Sequence, residues 1–268
     1  MEGKDFVEMT EKQIEIRTAD GIAGGFVYQP EGKGPWPGVL HLTDIGGIRP
    51  ANEELSKRLA DSGYLVLVPN VYYRTGTPPL FKPPFTIGDE AFMKRVGELR
   101  APLSQDALVR DAAAYVDFLA KLPGAAPGKF AVTGYCFTGA MAMLVAARHP
   151  DKIGALATFH AAGLCKDDPA SPHLLLPRIT ARLYFGHAFE DRGMPKEAIE
   201  KFNRALDAWG GKYESEIYED AGHGWTMRDM PVYNPPQAER AFSKLVELLA
   251  ATIRNPSGSK TQAGGGAM

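Results

Sequence analysis

One cysteine stands in a segment whose spacing suits nucleophilic chemistry, between Gly134 and Gly139. The apolar run 129–133 before it predicts a buried strand, and the run 140–147 after it predicts a helix. A strand that turns sharply into a helix between small residues forms a nucleophile elbow, which lifts one side chain above the sheet. The helix N-terminus directs free N–H groups and partial positive charge at that side chain, which favours a thiolate. We therefore predict that Cys136 is a nucleophile; the alternative is a free cysteine packed as a small apolar residue.

A nucleophilic thiol needs a base, and the six histidines can be sorted by their place in the chain. His160, His187 and His223 follow the predicted ends of strands, where ligand sites of parallel sheets lie. His223 is the best candidate, because it lies in a glycine-flanked loop after the last strand and can reach across the sheet to the thiol. His160 and His187 are interpreted as residues that line or support the pocket.

An acidic residue is then expected to hold the imidazole, and it should follow the strand that ends near Gly186. Glu190 and Asp191 both do so. We prefer Asp191, because a short carboxylate in the turn can hold one imidazole nitrogen, and Glu190 remains the alternative. An aspartate in this position also suits the N-cap of the next helix.

A metal site built from His160, His187, Asp191 and His223 is a further possibility, since imidazole and carboxylate suit zinc. None of these residues has a fixed i, i+4 spacing, and a metal would not explain the elbow. The chain also lacks a glycine-rich phosphate cradle and a dinucleotide fingerprint. We therefore expect neither a metal nor an organic cofactor.

Composition bounds the class of protein and its partners. The chain has 268 residues, 44% of them hydrophobic and 23% charged, which is enough for one large core. Its net charge of −2 contains no block of like charges, so we expect no nucleic acid and no membrane as partner, but a small molecule. The two cysteines, Cys136 and Cys165, are expected to be free, which suits a reducing compartment. The sequence is compatible with a monomer or a dimer.

No apolar stretch approaches the length of a bilayer span, and the first residues lack a signal-peptide pattern. We therefore expect a cytoplasmic protein. The predicted organisation is a single α/β domain over residues 1–254, followed by a disordered Gly/Ser/Ala-rich tail over 255–268.

Alternating strands and helices predict a mostly parallel sheet that is covered on both faces. An antiparallel hairpin over 13–28 opens the chain, and strands are expected at 38–42, 64–69, 155–159, 182–186 and 213–218. Helices are expected at 52–62, 103–122, 195–209 and 235–253, and 160–178 is expected to be a loop. The proline-rich stretch 70–103, helical only over 89–99, is interpreted as a small irregular cap over the site.

With these residues in place, the sequence resembles the dienelactone hydrolase family of α/β-hydrolases over roughly residues 12–254. The resemblance is carried by LTDIGG (42–47), VPNVYYR (68–74), GYCFTG (134–139), Asp191-x-x-x-Pro195 and YEDAGHGW (218–225). It implies the α/β-hydrolase fold and a small ester or lactone as substrate. It also implies that Cys136 is the nucleophile, His223 the base and Asp191 the residue that orients the base.

The resemblance further implies an oxyanion hole from the backbone N–H groups of Ile45 and Phe137. Family members have a glutamate beside that loop which helps to activate the thiol; the matching residue here is Asp44, one methylene shorter. An arginine beyond the histidine binds the lactone carboxylate in well-known members, but Met227 stands at that place and Arg228 follows it.

Several residues near these motifs are candidates for the wall of a substrate pocket. They are aromatic or apolar residues beside the predicted catalytic residues and two arginines that can contact an anion: Tyr135, Trp225, Met227, Arg228 and Arg95. Lys94 is a further basic residue of the cap.

Three other functions use the same features. A peptidase or other acyl hydrolase on this scaffold would cleave amides. A redox-sensing thiol protein would need the cysteine but not Asp191 and His223. A non-catalytic binding protein would keep the pocket alone, a reading that the departures at Asp44 and Thr138 leave open.

Overall fold

One mixed sheet of eight strands runs through the part of the chain that the computed structural model describes, residues 10–81 and 86–254. The expected disordered tail over 255–268 and the first residues of the chain lie outside the described residues. So do Pro83 and Pro84 of the expected cap.

The strands follow the order β1-β2-β4-β3-β5-β6-β7-β8 across the sheet. Only β1–β2 and β2–β4 pair antiparallel; every other pair among the described strands is parallel. The strands are β1 (Thr10–Thr18), β2 (Gly21–Gln29), β3 (Gly38–Leu42), β4 (Leu65–Pro69), β5 (Phe130–Tyr135), β6 (Ile153–Phe159), β7 (Arg182–Glu190) and β8 (Tyr213–Gly222). This arrangement confirms the predicted α/β fold with an antiparallel hairpin at its start.

Helices cover both faces of the sheet. They are α1 (Pro50–Asp61), α2 (Glu90–Arg100), α3 (Gln105–Ala120), α4 (Thr138–Arg148), α5 (Lys196–Trp209) and α6 (Pro235–Leu249), with a 3-10 helix at Pro172–Arg178 and a π-helical turn at Ala250–Arg254. The last predicted helix therefore changes its winding at residue 250, and the expected loop 160–178 contains a short helix.

The alternation of side chains along each strand explains the two layers of core. In β4, Leu65 and Leu67 pack into one apolar cluster, whereas Val66 and Val68 pack into the other. Residues of α3, α4 and α5 complete the first cluster, and residues of α1 and α6 complete the second. Because both faces are covered, β3, β4 and β5 are buried along their whole length.

The expected cap forms one helix that docks on the first cluster. Asp89 caps α2 by accepting a hydrogen bond from the backbone N–H of Phe92 at 2.7 Å. Val96 and Leu99, two residues of this helix, are buried in that cluster. The helical part of this segment was therefore predicted to within one residue at each end.

Strand β7 is longer than its apolar run predicts. Its pairing with β8 continues through His187–Ile217 and Ala188–Tyr218. The expectation that His187 follows the strand end is therefore wrong, because the ladder of hydrogen bonds extends the strand beyond Gly186.

Cys136 and Cys165 are both free and buried. Within the described ranges, no helix is long and apolar enough to cross a membrane. The cytoplasmic location stays a prediction.

Gly134 provides a test of how tightly the strand meets α4. A Cβ added to this residue would lie 2.5 Å from the carbonyl oxygen of Thr138 and 2.9 Å from the Cα of Gly139. We expect Gly134→Ala to lower the free energy of unfolding by about 2 kcal/mol, because rigid backbone must shift. Urea unfolding measures this loss.

Gly24→Ala is the matched control, since a Cβ at Gly24 meets nothing within 4 Å. We expect it to change the free energy of unfolding by less than about 0.5 kcal/mol. Equal stability of the two variants would contradict the close approach at Gly134.

Candidate active site

Cys136 lies at the turn between β5 and α4 with a left-handed backbone, φ 58°. This conformation is uncommon for a residue with a side chain and is kept only when its surroundings enforce it. The Cys136 N–H donates to the carbonyl oxygen of Phe159 at 3.2 Å. The Cys136 carbonyl accepts from the N–H groups of Gly139 at 3.2 Å and Ala162 at 3.3 Å. These bonds hold the thiol at the carboxyl end of the sheet, as the elbow pattern predicts.

Thr138 ties the elbow to the neighbouring strand, a role that the sequence did not indicate. Its hydroxyl oxygen accepts a hydrogen bond from the Tyr135 N–H at 2.9 Å and lies 3.1 Å from the carbonyl oxygen of Leu42. Leu42 ends β3, so this hydroxyl connects the loop after β3 with the elbow. The threonine departs from the usual small residue of an elbow but takes over a bracing role.

The structure brings Cys136, His223 and Asp191 into one hydrogen-bonded chain. His223 Nε2 lies 3.1 Å from the Cys136 sulfur. His223 Nδ1 donates to Asp191 Oδ2 at 2.6 Å. Asp191 also accepts from the N–H of Gly193 at 2.7 Å, which fixes the orientation of its carboxylate. This is the geometry of a nucleophile, a base and an orienting acid.

The charges of this hydrogen-bonded chain of side chains control the protonation of His223. Burial alone lowers the pKa of an imidazole, but here the hydrogen bonds to Asp191 and Cys136 and their negative charges outweigh burial. The pKa of His223 is raised to about 10. The imidazolium is therefore the favoured form of His223 at neutral pH.

Ile45 and Phe137 lie beside the thiol on the wall of the same cavity. Tyr72 braces both residues: its hydroxyl donates to the Ile45 carbonyl at 3.2 Å, and its ring stacks on that of Phe137 with centroids 5.8 Å apart. Burial raises the pKa of Tyr72, so the phenol keeps the proton that it donates. Tyr72 belongs to the VPNVYYR motif, but its distance in sequence from the elbow concealed this contact.

Asp44, the expected thiol-activating residue, is bound to an arginine. Arg49 donates to both carboxylate oxygens of Asp44, with Nη2 2.9 Å from Oδ2. The N–H of Gly46 donates to Asp44 Oδ1 at 3.0 Å. Arg49 also binds Asp229 in the loop after His223, with Nε 2.6 Å from Oδ2. Asp44 and Arg49 thus connect the loop after β3 with the loop that carries His223.

The thiol opens into a cavity of about 1050 Å³. Residues of α2, of the elbow and of the loops after β6 and β7 form its wall, among them Met93, Arg100, Ala140, Lys166, Glu190 and Arg192. A cavity of this size at the carboxyl ends of the strands suits a small ligand. The helix of the expected cap therefore contributes to the wall of the site.

The expected substrate-binding residues do not line this cavity, which corrects that part of the sequence analysis. Tyr135, Trp225 and Met227 are almost fully buried in the second core cluster. Tyr135 is the last residue of β5, and its side chain packs into the second core cluster, on the face of the sheet away from the cavity. Arg228 pairs with Glu54, and Arg95 pairs with Glu98, both at the surface.

His160 and His187 are buried and do not line the cavity. His160 Nε2 lies 2.8 Å from the Thr226 hydroxyl. The His160 ring meets that of His223 edge-on, with the ring centroids 5.2 Å apart. His187 Nε2 lies 3.2 Å from the Ser215 hydroxyl. Burial lowers the pKa of both, to about 4 for His187. Among residues 10–81 and 86–254, no group of three or more His, Cys, Asp or Glu is placed to hold a metal ion.

An eight-stranded mixed sheet with a thiol at its strand–helix elbow is typical of an α/β-hydrolase when an aspartate and then a histidine follow along the chain and contact the thiol in one hydrogen-bonded chain. The family model of the dienelactone hydrolase family matches residues 23–253. The chain therefore belongs to the dienelactone hydrolase family, and the reaction class is hydrolysis of an ester or lactone.

Relatives and solved structures agree with this membership. An Escherichia coli K12 protein assigned as a carboxymethylenebutenolidase is 26% identical over 244 residues, 85% of this chain and 87% of that protein. A carboxymethylenebutenolidase of Rhodococcus opacus is 28% identical over 194 residues, 70% and 69% of the two chains. A Klebsiella pneumoniae structure assigned to the dienelactone hydrolases shares the fold, with a TM-score of 0.79 at 21% identity, covering 91% of this chain and 99% of that chain.

The Arg49 bridge predicts that Asp44 contributes to stability more than to the reactivity of the thiol. We expect Asp44→Asn to lower the free energy of unfolding by about 2–3 kcal/mol, because Arg49 loses a buried anionic partner. Urea unfolding measures the loss. The pH midpoint of Cys136 alkylation by iodoacetamide should stay close to that of the wild type.

Asp229→Asn is the control, because it removes the more exposed partner of Arg49 and should cost less than about 1 kcal/mol. If Asp44→Asn keeps its stability but moves the alkylation midpoint by about one pH unit or more, Asp44 acts on the thiol directly.

The hydrogen bond to Asp191 predicts the titration of His223. We expect Asp191→Asn to lower the pKa of His223 by more than about one unit, because the imidazolium loses its anionic acceptor. Nitrogen NMR of the labelled imidazoles against pH measures the change. His41 is the internal control, since burial holds its pKa near 3 and it should stay neutral in both proteins.

The raised pKa of His223 in the wild type also makes the stability of the fold depend on pH. Because the folded pKa of about 10 lies above the ordinary value of 6.5, the imidazolium stabilises the fold fully below about pH 6.5. This contribution is lost as pH rises towards 10. The unfolding free energy of the wild type relative to His223→Gln should therefore shrink over that interval, and a constant difference would contradict the raised pKa.

Proposed function

We propose that the chain hydrolyses a small ester or lactone through an acyl thioester on Cys136. The observation that carries the proposal is the chain of contacts from sulfur to imidazole to carboxylate, 3.1 Å and 2.6 Å long, on the wall of a cavity. A redox-sensing thiol has no need of an imidazole held by a carboxylate. The thiol here is therefore better suited to acyl transfer.

In acylation, His223 accepts the proton of the Cys136 thiol, and the raised pKa of His223 favours the imidazolium that forms. The sulfur attacks the carbonyl carbon, a C–S bond forms, and the carbonyl electron pair moves to the oxygen. The N–H groups of Ile45 and Phe137 donate to this oxyanion. The C–O bond to the leaving group then breaks, and His223 Nε2 gives its proton to the departing oxygen.

Deacylation uses the same groups in reverse. Neutral His223 takes a proton from water, and the hydroxide oxygen attacks the thioester carbon. The oxyanion collapses, the C–S bond breaks, and the thiolate faces an imidazolium again. The products are a carboxylic acid and an alcohol, or one hydroxy acid when the substrate is a lactone. Asp191 stabilises the imidazolium in both steps.

The surroundings of the thiol set limits on the substrate. Arg228 pairs with Glu54 outside the cavity, so it does not supply the carboxylate contact of the well-known family members. Amides should react poorly, because a thiolate leaves a tetrahedral intermediate more readily than an amine does.

The proposal is tested with p-nitrophenyl acetate and with the matching p-nitroanilide. The wild type should cleave the ester and not the anilide, and mass spectrometry should find an acetyl group on Cys136. Cys136→Ala and His223→Ala should each lower kcat/KM by about 10³-fold or more, and Asp191→Asn by about 10²- to 10⁴-fold.

Cys165→Ala is the matched control, since it removes the other buried thiol and leaves the triad intact. It should keep both the activity and the adduct. Equal activity of the wild type and Cys136→Ala would exclude the thioester, and turnover of the anilide at the rate of the ester would favour a peptidase.

A further inference from the structure

A second cavity of about 530 Å³ adjoins the cavity that holds the triad. The two share five wall residues, namely Arg100, Phe137, Ala140, Ala170 and Pro172. Beyond this shared wall, the second cavity runs between α3, α4 and the 3-10 helix. We call it the apolar arm, defined by the side chains of Leu103, Leu108, Met141, Leu144 and Leu175.

One face of α4 leads from the nucleophile into the apolar arm. Phe137, Ala140, Met141 and Leu144 follow the i, i+3, i+4, i+7 spacing that places side chains on one side of a helix. Phe137 stands next to the thiol, and Leu144 lies two turns further on, inside the arm. A group bound at Cys136 therefore has a continuous apolar path along this helix.

The two cavities differ in the number of charged side chains on their walls. The triad cavity carries charged side chains on its far side, from Lys166 and Asp168 to Glu190 and Arg192. Among the described residues that line the arm, only Arg100 and Gln105 have polar side chains. The Arg100 guanidinium lies over the ring of Phe137, 4.9 Å from its centroid, at the junction of the two cavities. An alkyl group gains free energy when the leucine and methionine side chains of the arm cover it.

The mechanism decides which part of the substrate enters the arm. His223 gives its proton to the leaving oxygen, so the leaving group must lie beside His223. That residue lines the triad cavity but not the arm. The acyl substituent, bonded to the same carbon, then extends to the other side, along Phe137 and Ala140.

We propose that the substrate is an ester or lactone whose acyl side carries an apolar alkyl chain, which the apolar arm binds. This inference rests on the proposed hydrolase function and adds the substrate class to it.

The first test compares p-nitrophenyl acetate, butyrate, hexanoate and octanoate with the wild type. We expect kcat/KM to rise by about fourfold per added methylene while the arm fills. Ethyl octanoate and octyl acetate are isomers, so a pH-stat comparison separates acyl from alcohol binding at equal overall hydrophobicity. Ethyl octanoate should be the better substrate by about tenfold or more.

The second test obstructs the arm with a matched pair of substitutions. Leu175 lines the arm, whereas its neighbour Leu174 is 52% exposed and does not. Leu175→Trp should lower the ratio of octanoate to acetate kcat/KM by about tenfold or more, and Leu174→Trp should leave the ratio unchanged. Leu108→Trp narrows the arm from α3 and replaces the first variant if that one does not fold by circular dichroism.

The outcomes separate this inference from the function on which it rests. A wild type that cleaves the acetate but shows a flat chain-length profile, or prefers octyl acetate, overturns the inference and leaves the hydrolase proposal standing. An unchanged ratio in the folded arm variant does the same. A wild type that cleaves no ester overturns the proposed function, and the inference falls with it.

Discussion

The left-handed backbone of Cys136 is the constraint on which the rest of the site depends. A backbone φ of 58° costs a residue with a side chain on the order of 1–3 kcal/mol, so the surroundings of Cys136 must hold it there. Hydrogen bonds from Gly139 and Ala162 and to Phe159 do so. A Cβ at Gly139 would lie 2.4 Å from that of Ala161, which shows how closely the following loop packs against the elbow. The strain is thus held by tertiary packing and directs the sulfur at His223.

The site also depends on keeping a positive charge at one imidazole. His160 lies edge-on to His223 at 5.2 Å, and two imidazolium ions at that distance would repel each other. Burial, together with the charge of His223, lowers the pKa of His160 and keeps it neutral. His223 differs because it alone of the two contacts the thiol and Asp191. The location of the proton is therefore set by the surroundings of each ring.

The contact of Cys136, Asp191 and His223 could be predicted from sequence because it follows from topology. Cys136, Asp191 and His223 each follow a strand, and in a parallel sheet those strand ends share one edge. The supporting residues could not be predicted, since Tyr72 and Arg49 act on residues of other loops through tertiary contacts.

The residues predicted for the pocket wall do not line the cavity, for a related reason. Nearness in sequence to Cys136 or His223 does not give the direction of a side chain. The side chain of Tyr135 packs into the second core cluster. Trp225 is fully buried, and its ring stacks on that of Tyr218 with the centroids 4.8 Å apart. His187 was misplaced because pairing with β8 extended its strand.

The segment between β4 and α3 contacts both the proposed oxyanion hole and the apolar arm. At its start, Tyr72 braces the two residues proposed for the oxyanion hole. At its end, Gly97 and Arg100 of α2 line the apolar arm. In the proposed function, one insertion therefore supports the oxyanion hole and also shapes the cavity that binds the acyl chain. Because the triad itself comes from the sheet edge, we expect changes in α2 to alter the preferred acyl group while Cys136, His223 and Asp191 keep their geometry.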